Sequence, residues 1–297
     1  MSSAPQSATN TETPYASIWT ALREVDFRQG FVDAGGVRTR YVEAGPTDGP
    51  VVMMLHGTGG HWETFTRNLG PFSAHFRTIA FDMVGNGFSD RPNFGYEVPH
   101  YVDHVRATMD ALGVQTASMA GTSLGSWVAA AFALKYPERV EKLVLMSVAG
   151  LIASAENMAR IRTVRMAAVN DPNWPTIKAM FDHLLANESD RLPDLVALRQ
   201  AIYSLPNMVE TMENTLVLQD PEIRDRNLIV EDQWRAITQP TLSIASGEDY
   251  SEYANTSRRV AELIPNCELL EMPGVKHWPH FEDAHVFNAA AIKFLLG

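Results

Sequence analysis

One cysteine, Cys267, is all that this 297-residue chain contains, so no disulfide can form within it. A fold of this size must be held by its buried core, and a reducing compartment, the cytoplasm, is the expected setting. Positive charge is also scarce: 24 Lys and Arg stand against 35 Asp and Glu, a formal net charge of −11. Nucleic acids and anionic membrane surfaces are polyanions, so neither is expected as a partner. An anionic small molecule would need a local cation to hold it. No apolar run is long enough to span a bilayer, and the segment from Met1 to Thr13 lacks the basic start and apolar core of a secretory signal. The nine histidines are scattered, with no His-Glu-x-x-His spacing, so no metal site or other cofactor is expected.

What remains is an alternation of strand-like and helix-like segments. The polar tail up to about Pro14 reads as disordered, and Ile18 to Leu22 as a short helix. Gly30 to Ala34 and Val37 to Val42, joined by Gly35-Gly36, read as a hairpin. Val51 to Leu55 is a continuous apolar run, the pattern of a strand covered on both faces. Arg77 to Phe81 is a further strand, Pro99 to Leu112 a helix with apolar residues at helical spacing, and Val140 to Ser147 another strand. After Gly150 the alternation stops. Leu151 to Arg235 is helix-like and punctuated by prolines, and strands resume at Thr241 to Ala245 and Glu268 to Glu271, with a helix from Tyr253 to Ile264 between them. A final helix begins at about Phe281. This order predicts a mostly parallel sheet with helices on both faces. The expected organisation is an N-terminal arm (1–27), a core (28–150 and 236–297) and a helical lid (151–235) over the strands' carboxyl ends, where such sheets bind ligands.

Gly121-Thr122-Ser123-Leu124-Gly125 lies between the apolar run Ala117 to Ala120 and the helix-forming run Trp127 to Leu134. A G-x-S-x-G turn between strand and helix exposes its serine as a nucleophile. A serine hydroxyl is inert until a base takes its proton, and the base needs an orienting carboxylate. In the chain order expected here, the acid follows a late strand and the histidine follows the last one. Glu248 and Asp249 stand at the first place, with Asp249 preferred because the chain then turns into a helix. His277 stands at the second, ahead of His280 and His285, which read as part of the terminal helix. Backbone N–H groups must also meet the negative charge that develops on the substrate. The amide of Leu124 is one candidate. The other is Thr58 in the loop His56-Gly57-Thr58-Gly59-Gly60, with Gly57 and Gly59 shaping it. His56 reads as structural, as does the loop from Asp82 to Asp90.

From Gly30 to Leu296 these residues resemble the α/β-hydrolase fold family, and within it the meta-cleavage-product hydrolases. The likeness is carried by Val275-Lys276-His277-Trp278-Pro279-His280-Phe281-Glu282-Asp283, by Trp62 to Asn68, by Leu198-Arg199 with Tyr203 and Pro206, and by Asp220 to Arg224. The resemblance implies hydrolysis of a carbon–carbon bond in a 2-hydroxy-6-oxo-hexa-2,4-dienoate, a ring-cleavage product of aromatic compounds. It implies that Arg199 binds the substrate carboxylate, that Trp278 walls the pocket, and that the protein is a homodimer or larger assembly. Arg162 and Arg165 are weaker rivals to Arg199. Three positions depart from the family pattern: Thr122 and Thr64 stand where it has Asn, and Ser126 where it has Gly. The departures at Thr122 and Thr64 favour an alternative, a carboxylesterase, amidase or lactonase using the same triad. A ligand receptor ranks lower still, because every catalytic element is present.

Overall fold

This computed structural model describes residues 16–297 except Ala153, together with the backbone alone of Ser251. The expected disordered tail therefore lies outside the described residues. Eight strands form one sheet: β1 (Phe27–Asp33), β2 (Arg38–Ala44), β3 (Val51–Leu55), β4 (Arg77–Phe81), β5 (Ala117–Thr122), β6 (Val140–Met146), β7 (Thr241–Ser246) and β8 (Cys267–Met272). Their order is β1-β2-β4-β3-β5-β6-β7-β8. The β1–β2 hairpin and the β2–β4 pair are antiparallel, and every pairing from β4 to β8 is parallel. This is an α/β-hydrolase fold.

Period-two alternation explains how each strand serves two cores. In β3, Met53 and Leu55 join a cluster with α2 (Val98–Ala111), α3 (Leu124–Lys135) and α10 (Ser251–Leu263). Val52 and Met54 face the other way, toward α1 (Thr66–Ser73) and α12 (Ala284–Leu296). With both faces covered, the continuous apolar run of β3 is what this environment demands.

Between β6 and β7 the described residues form helices and loops with no strand: α4 (Ala155–Asn170), α5 (Trp174–Asp182), α6 (Pro193–Tyr203), α7 (Met208–Thr215), α8 (Pro221–Asn227) and α9 (Glu231–Arg235). Asparagine and aspartate start two of them in the usual way: the side chain of Asn173 accepts from the Thr176 amide, and that of Asp220 from those of Glu222 and Ile223. Helices α4 to α7 share a core of their own, which also takes in Trp278 and Phe281.

The C-terminal helix differs from expectation. It is broken into α11 (Pro279–Glu282) and α12, because Asp283 leaves helical geometry and caps α12 by accepting from the Val286 amide. His280 accordingly sits on a separate single turn, fully buried, while His285 is exposed on α12.

Candidate active site

Ser123 occupies the turn from β5 into α3 with φ 55° and ψ −119°, a backbone conformation that costs a non-glycine residue energy and is held only by its surroundings. Those surroundings leave no room for side chains at the flanking glycines. A Cβ on Gly125 would come within 2.1 Å of the Leu55 carbonyl oxygen, and one on Gly121 within 2.3 Å of that of Gly125. Leu124 opens α3, so its N–H has no acceptor within the helix. Gly57 lies so close above the elbow that a Cβ there would approach the Ser123 Cβ to 3.2 Å. The loop is drawn tight by the Gly60 amide donating to the Gly57 carbonyl at 3.0 Å.

The loop after β8 brings His277 to the loop after β7. His277 Nδ1 lies 3.0 and 3.2 Å from the two Asp249 carboxylate oxygens. The side chain of Asp249 is fully buried, whereas Glu248 is exposed. The two loops are stitched together by backbone bonds from Gly247 N to Met272 O and from Glu248 N to Val275 O, both 2.9 Å. Tyr253 of α10 lies edge-on to the imidazole, ring centroids 4.5 Å apart.

Ser123 and His277 line one cavity together with Gly57, Thr58, Gly60, Tyr253 and Trp278, closed from above by Arg160, Ile161, Val164 and Arg165 of α4 and by Met180, His183 and Leu184. The empty space it encloses, its open mouth included, is about 570 Å³. A smaller space of about 280 Å³ lies on another side of Ser123 and Thr58, walled by Leu124, Trp127, Ala149, Leu218, Gln219 and Arg224. Trp278 both lines the main cavity and packs edge-on against Phe181. Gly59 has φ 65° and does not line the cavity; it backs onto Tyr203, whose hydroxyl donates to its carbonyl at 3.3 Å. Arg199 is fully buried and does not line the cavity, whereas Arg160 and Arg165 do. Arg162 points elsewhere, paired at 2.7 Å with Glu213.

Several residues that hold the site escaped sequence reasoning. The hydroxyls of Ser147 and Thr122 both donate to the His277 carbonyl, at 3.1 and 3.4 Å. The Glu282 carboxylate accepts from the amides of Ala186, Lys276 and Trp278 at 2.7, 2.9 and 3.3 Å, fastening the histidine loop to the helical block. Burial raises the Glu282 carboxyl above its ordinary value, against the lowering effect of those amides. Beneath the Gly57–Gly60 loop, Arg40 bridges Asp82 at 2.7 Å and Glu63 at 2.8 Å, and His61 meets Glu63 at 2.9 Å. Asp82 also accepts from the amides of Trp62 and Phe88, which makes its loop structural. His56 is structural too: its Nε2 accepts from the Met83 amide, and burial lowers it to about 4. Thr64 is buried and donates to the His61 carbonyl.

Residues 50–284 match the family model described as alpha/beta hydrolase fold. The 2-hydroxy-6-oxononadienedioate/2-hydroxy-6-oxononatrienedioate hydrolase of Comamonas testosteroni is 30% identical over 84% of this chain and 88% of its own length. The 2-hydroxy-6-oxo-6-phenylhexa-2,4-dienoate hydrolase of Burkholderia cepacia is 30% identical over 83% and 88%. Among solved structures, the meta-cleavage product hydrolase from Pseudomonas fluorescens IP01 superposes with a TM-score of 0.77 at 28% identity, covering 92% of this chain and 98% of that one. A 2-hydroxy-6-oxo-6-phenylhexa-2,4-dienoate hydrolase from Rhodococcus sp. strain RHA1 shares the fold, with a TM-score of 0.81 at 19% identity over 92% and 100%.

Proposed function

Because this chain belongs to the α/β-hydrolase fold family, and is similar over most of its length to hydrolases of 2-hydroxy-6-oxo-dienoates, we propose that it hydrolyses the carbon–carbon bond of such a ring-cleavage product. The observation that carries this is the hydrogen-bonded Asp249–His277 pair opening onto the cavity that Ser123 also lines. Asp249 fixes the imidazole tautomer with Nε2 free to take a proton, and Ser123 is the hydroxyl it serves. The amides of Leu124 and Thr58 stabilise the oxyanion formed when the 6-oxo carbon becomes tetrahedral. The helical block acts as the lid. In the dienoate, the 2-hydroxyl first gives up its proton as C5 gains one, so that the 2-oxo group and its conjugated double bond can accept the electron pair of the bond that breaks. Attack at C6, by Ser123 or by a water that His277 activates, then breaks the C5–C6 bond. The electron pair goes to the 2-hydroxypentadienoate, and water completes the carboxylic acid.

A second reading, a carboxylesterase, amidase or lactonase, is favoured by one observation. Thr122 and Thr64 spend their hydroxyls on backbone carbonyls, so neither offers a donor to a dienoate. The test is direct. Purified protein should bleach the yellow 2-hydroxy-6-oxo-6-phenylhexa-2,4-dienoate, and Ser123→Ala should lose the great majority of turnover, on the order of 10³-fold or more. Protein that ignores dienoates and cleaves p-nitrophenyl esters efficiently would make the second reading the correct one.

A further inference from the structure

The turn Gly57-Thr58-Gly59-Gly60, which carries the Thr58 amide, is closed by the Gly60 amide on the Gly57 carbonyl and gripped from two sides. On the core side His56 holds it. The Met83 amide donates to His56 Nε2, so the neutral ring keeps its proton on Nδ1, 2.7 Å from the same Gly57 carbonyl. On the other side stands Tyr203, the last residue of α6, buried in the core of the helical block. Its hydroxyl donates to the Gly59 carbonyl at 3.3 Å, across 144 residues of chain.

Two features aim this hydroxyl. Arg165 of α4 and Arg199 of α6 reach it through Nη1, at 3.3 and 3.4 Å. Guanidinium groups only donate, so they occupy the oxygen's acceptor side and leave its single proton to Gly59. The fit is also close. A Cβ at Gly59, whose φ is 65°, would come within 2.6 Å of the Tyr203 oxygen but 3.7 Å from the ring carbon that bears it. On the opposite side, a Cβ at Gly57 would approach that of Ser123 to 3.2 Å. The turn therefore fills the gap between the elbow and α6, with a glycine at each contact.

We propose that Tyr203 is a positioning residue: by holding the Gly59 carbonyl it sets the direction in which the Thr58 N–H meets the developing oxyanion. The inference rests on the serine-hydrolase reading of the site, and not on which bond is cleaved. An oxyanion donor speeds the reaction only if it is aimed at the transition state, and a small rotation of its peptide forfeits that advantage. Tyr203 does not line the cavity that holds Ser123 and His277, so removing its hydroxyl leaves the walls around the substrate intact. The helical block thus takes part in catalysis as well as covering the site, because the hole is complete only with α6 seated on the turn.

Two substitutions, alone and together, test this. Tyr203→Phe keeps the ring and should lower kcat about tenfold, less than loss of the donor itself, on whichever of p-nitrophenyl acetate and 2-hydroxy-6-oxo-6-phenylhexa-2,4-dienoate the wild-type protein turns over. KM should stay within about twofold. Phenylboronic acid, which forms a tetrahedral adduct with a reactive serine, should bind Tyr203→Phe about tenfold more weakly, while planar benzoate binds within about twofold. Gly59→Ala drives a methyl group at the hydroxyl and should lower kcat more than about tenfold; adding Tyr203→Phe should recover roughly fivefold of that, since the clashing oxygen is gone. Unchanged kcat and boronate affinity in folded Tyr203→Phe overturn the proposal, as do equal losses of boronate and benzoate or strictly additive losses in the double variant. Should Tyr203→Phe not fold, Gly59→Ala reads the same contact: a selective loss of boronate supports the proposal and an unselective one overturns it. Wild-type protein that turns over neither substrate would remove the hydrolase reading itself, whereas active wild type with an indifferent Tyr203→Phe removes only the role of Tyr203.

Discussion

Among the described residues, two serines hold positive φ angles that glycine would adopt at less cost, Ser123 at 55° and Ser147 at 44°. They stand at the carboxyl ends of neighbouring strands, and Ser147 with Thr122 grips the His277 carbonyl. The strained pair therefore flanks the one loop whose placement decides whether the imidazole works. Asp249 completes the constraint from the far side, and its weight can be measured against its neighbour. Asp249→Asn should lower kcat by about 10³- to 10⁴-fold, as the amide stabilises the wrong tautomer. Glu248→Gln, on an exposed side chain, should leave kcat within about twofold. Equal effects of the two substitutions would deny Asp249 its role. At this scale the placing of Ser123, Asp249 and His277 after β5, β7 and β8 was legible, because G-x-S-x-G marks the first and the two late strands mark the others; the triad roles are those proposed above. The grip of Thr122 and Ser147 on His277 was not. Their partner lies 155 and 130 residues away along the chain, and a lone hydroxyl in a sequence carries no sign of it.

Among the elements, the helical block is the one whose attachment matters most. It is fastened to the histidine loop by Glu282 and by the His277 amide donating to the Leu184 carbonyl at 3.1 Å. It is fastened to the core by Glu97, which precedes α2 and bonds Arg226 and Asn227 of α8. These hydrogen bonds pull the Glu97 carboxyl down to about 2. Its folded value is below the ordinary one, so the tether contributes fully above about pH 4.5 and is lost as pH falls toward 2. Glu97→Gln should lower the unfolding midpoint modestly at pH 6, and the gap from wild type should narrow steadily toward pH 3. A gap that stays constant across that range would show that the carboxylate charge is not what holds the helices. The block's helical character could be read from the loss of alternation after Gly150 and from the prolines that punctuate it, of which Pro175, Pro193 and Pro221 lie in the first turns of α5, α6 and α8. The break between α11 and α12 could not, since the segment from Phe281 reads as one helix and a single capping residue, Asp283, decides the break.

For the molecule as a whole, the sheet was the most legible feature. A strand buried on both faces leaves a continuous apolar run, and β3 falls where that run does, with β4 at the short strand expected from Arg77 to Phe81. The interior also contains a set of neutral histidines. Burial lowers His56 to about 4 and both His104 and His280 to about 3. The backbone amides of Met83 and Val84 donate to ring nitrogens of His56 and His104, which keeps those nitrogens unprotonated. The unfolded chain binds protons near pH 6.5 that the folded chain refuses until pH 4 or below. Stability should therefore be level above pH 7 and fall as pH drops below about 6.5, by about 1.4 kcal/mol per pH unit for each such histidine. Urea midpoints measured from pH 8 to pH 5 check this; an unchanged midpoint at pH 5 would contradict it.

The helical block leaves from the end of β6 and re-enters at the start of β7, and these two strands are paired neighbours, Leu143 opposite Thr241. Its departure and return are thus a single detour from the scaffold. Such a detour can be exchanged as a cassette. Replacing it with the corresponding segment of a relative would alter the arginines, the cavity ceiling and the choice of substrate together, while the strand order and the Ser123–His277–Asp249 cluster stay in place.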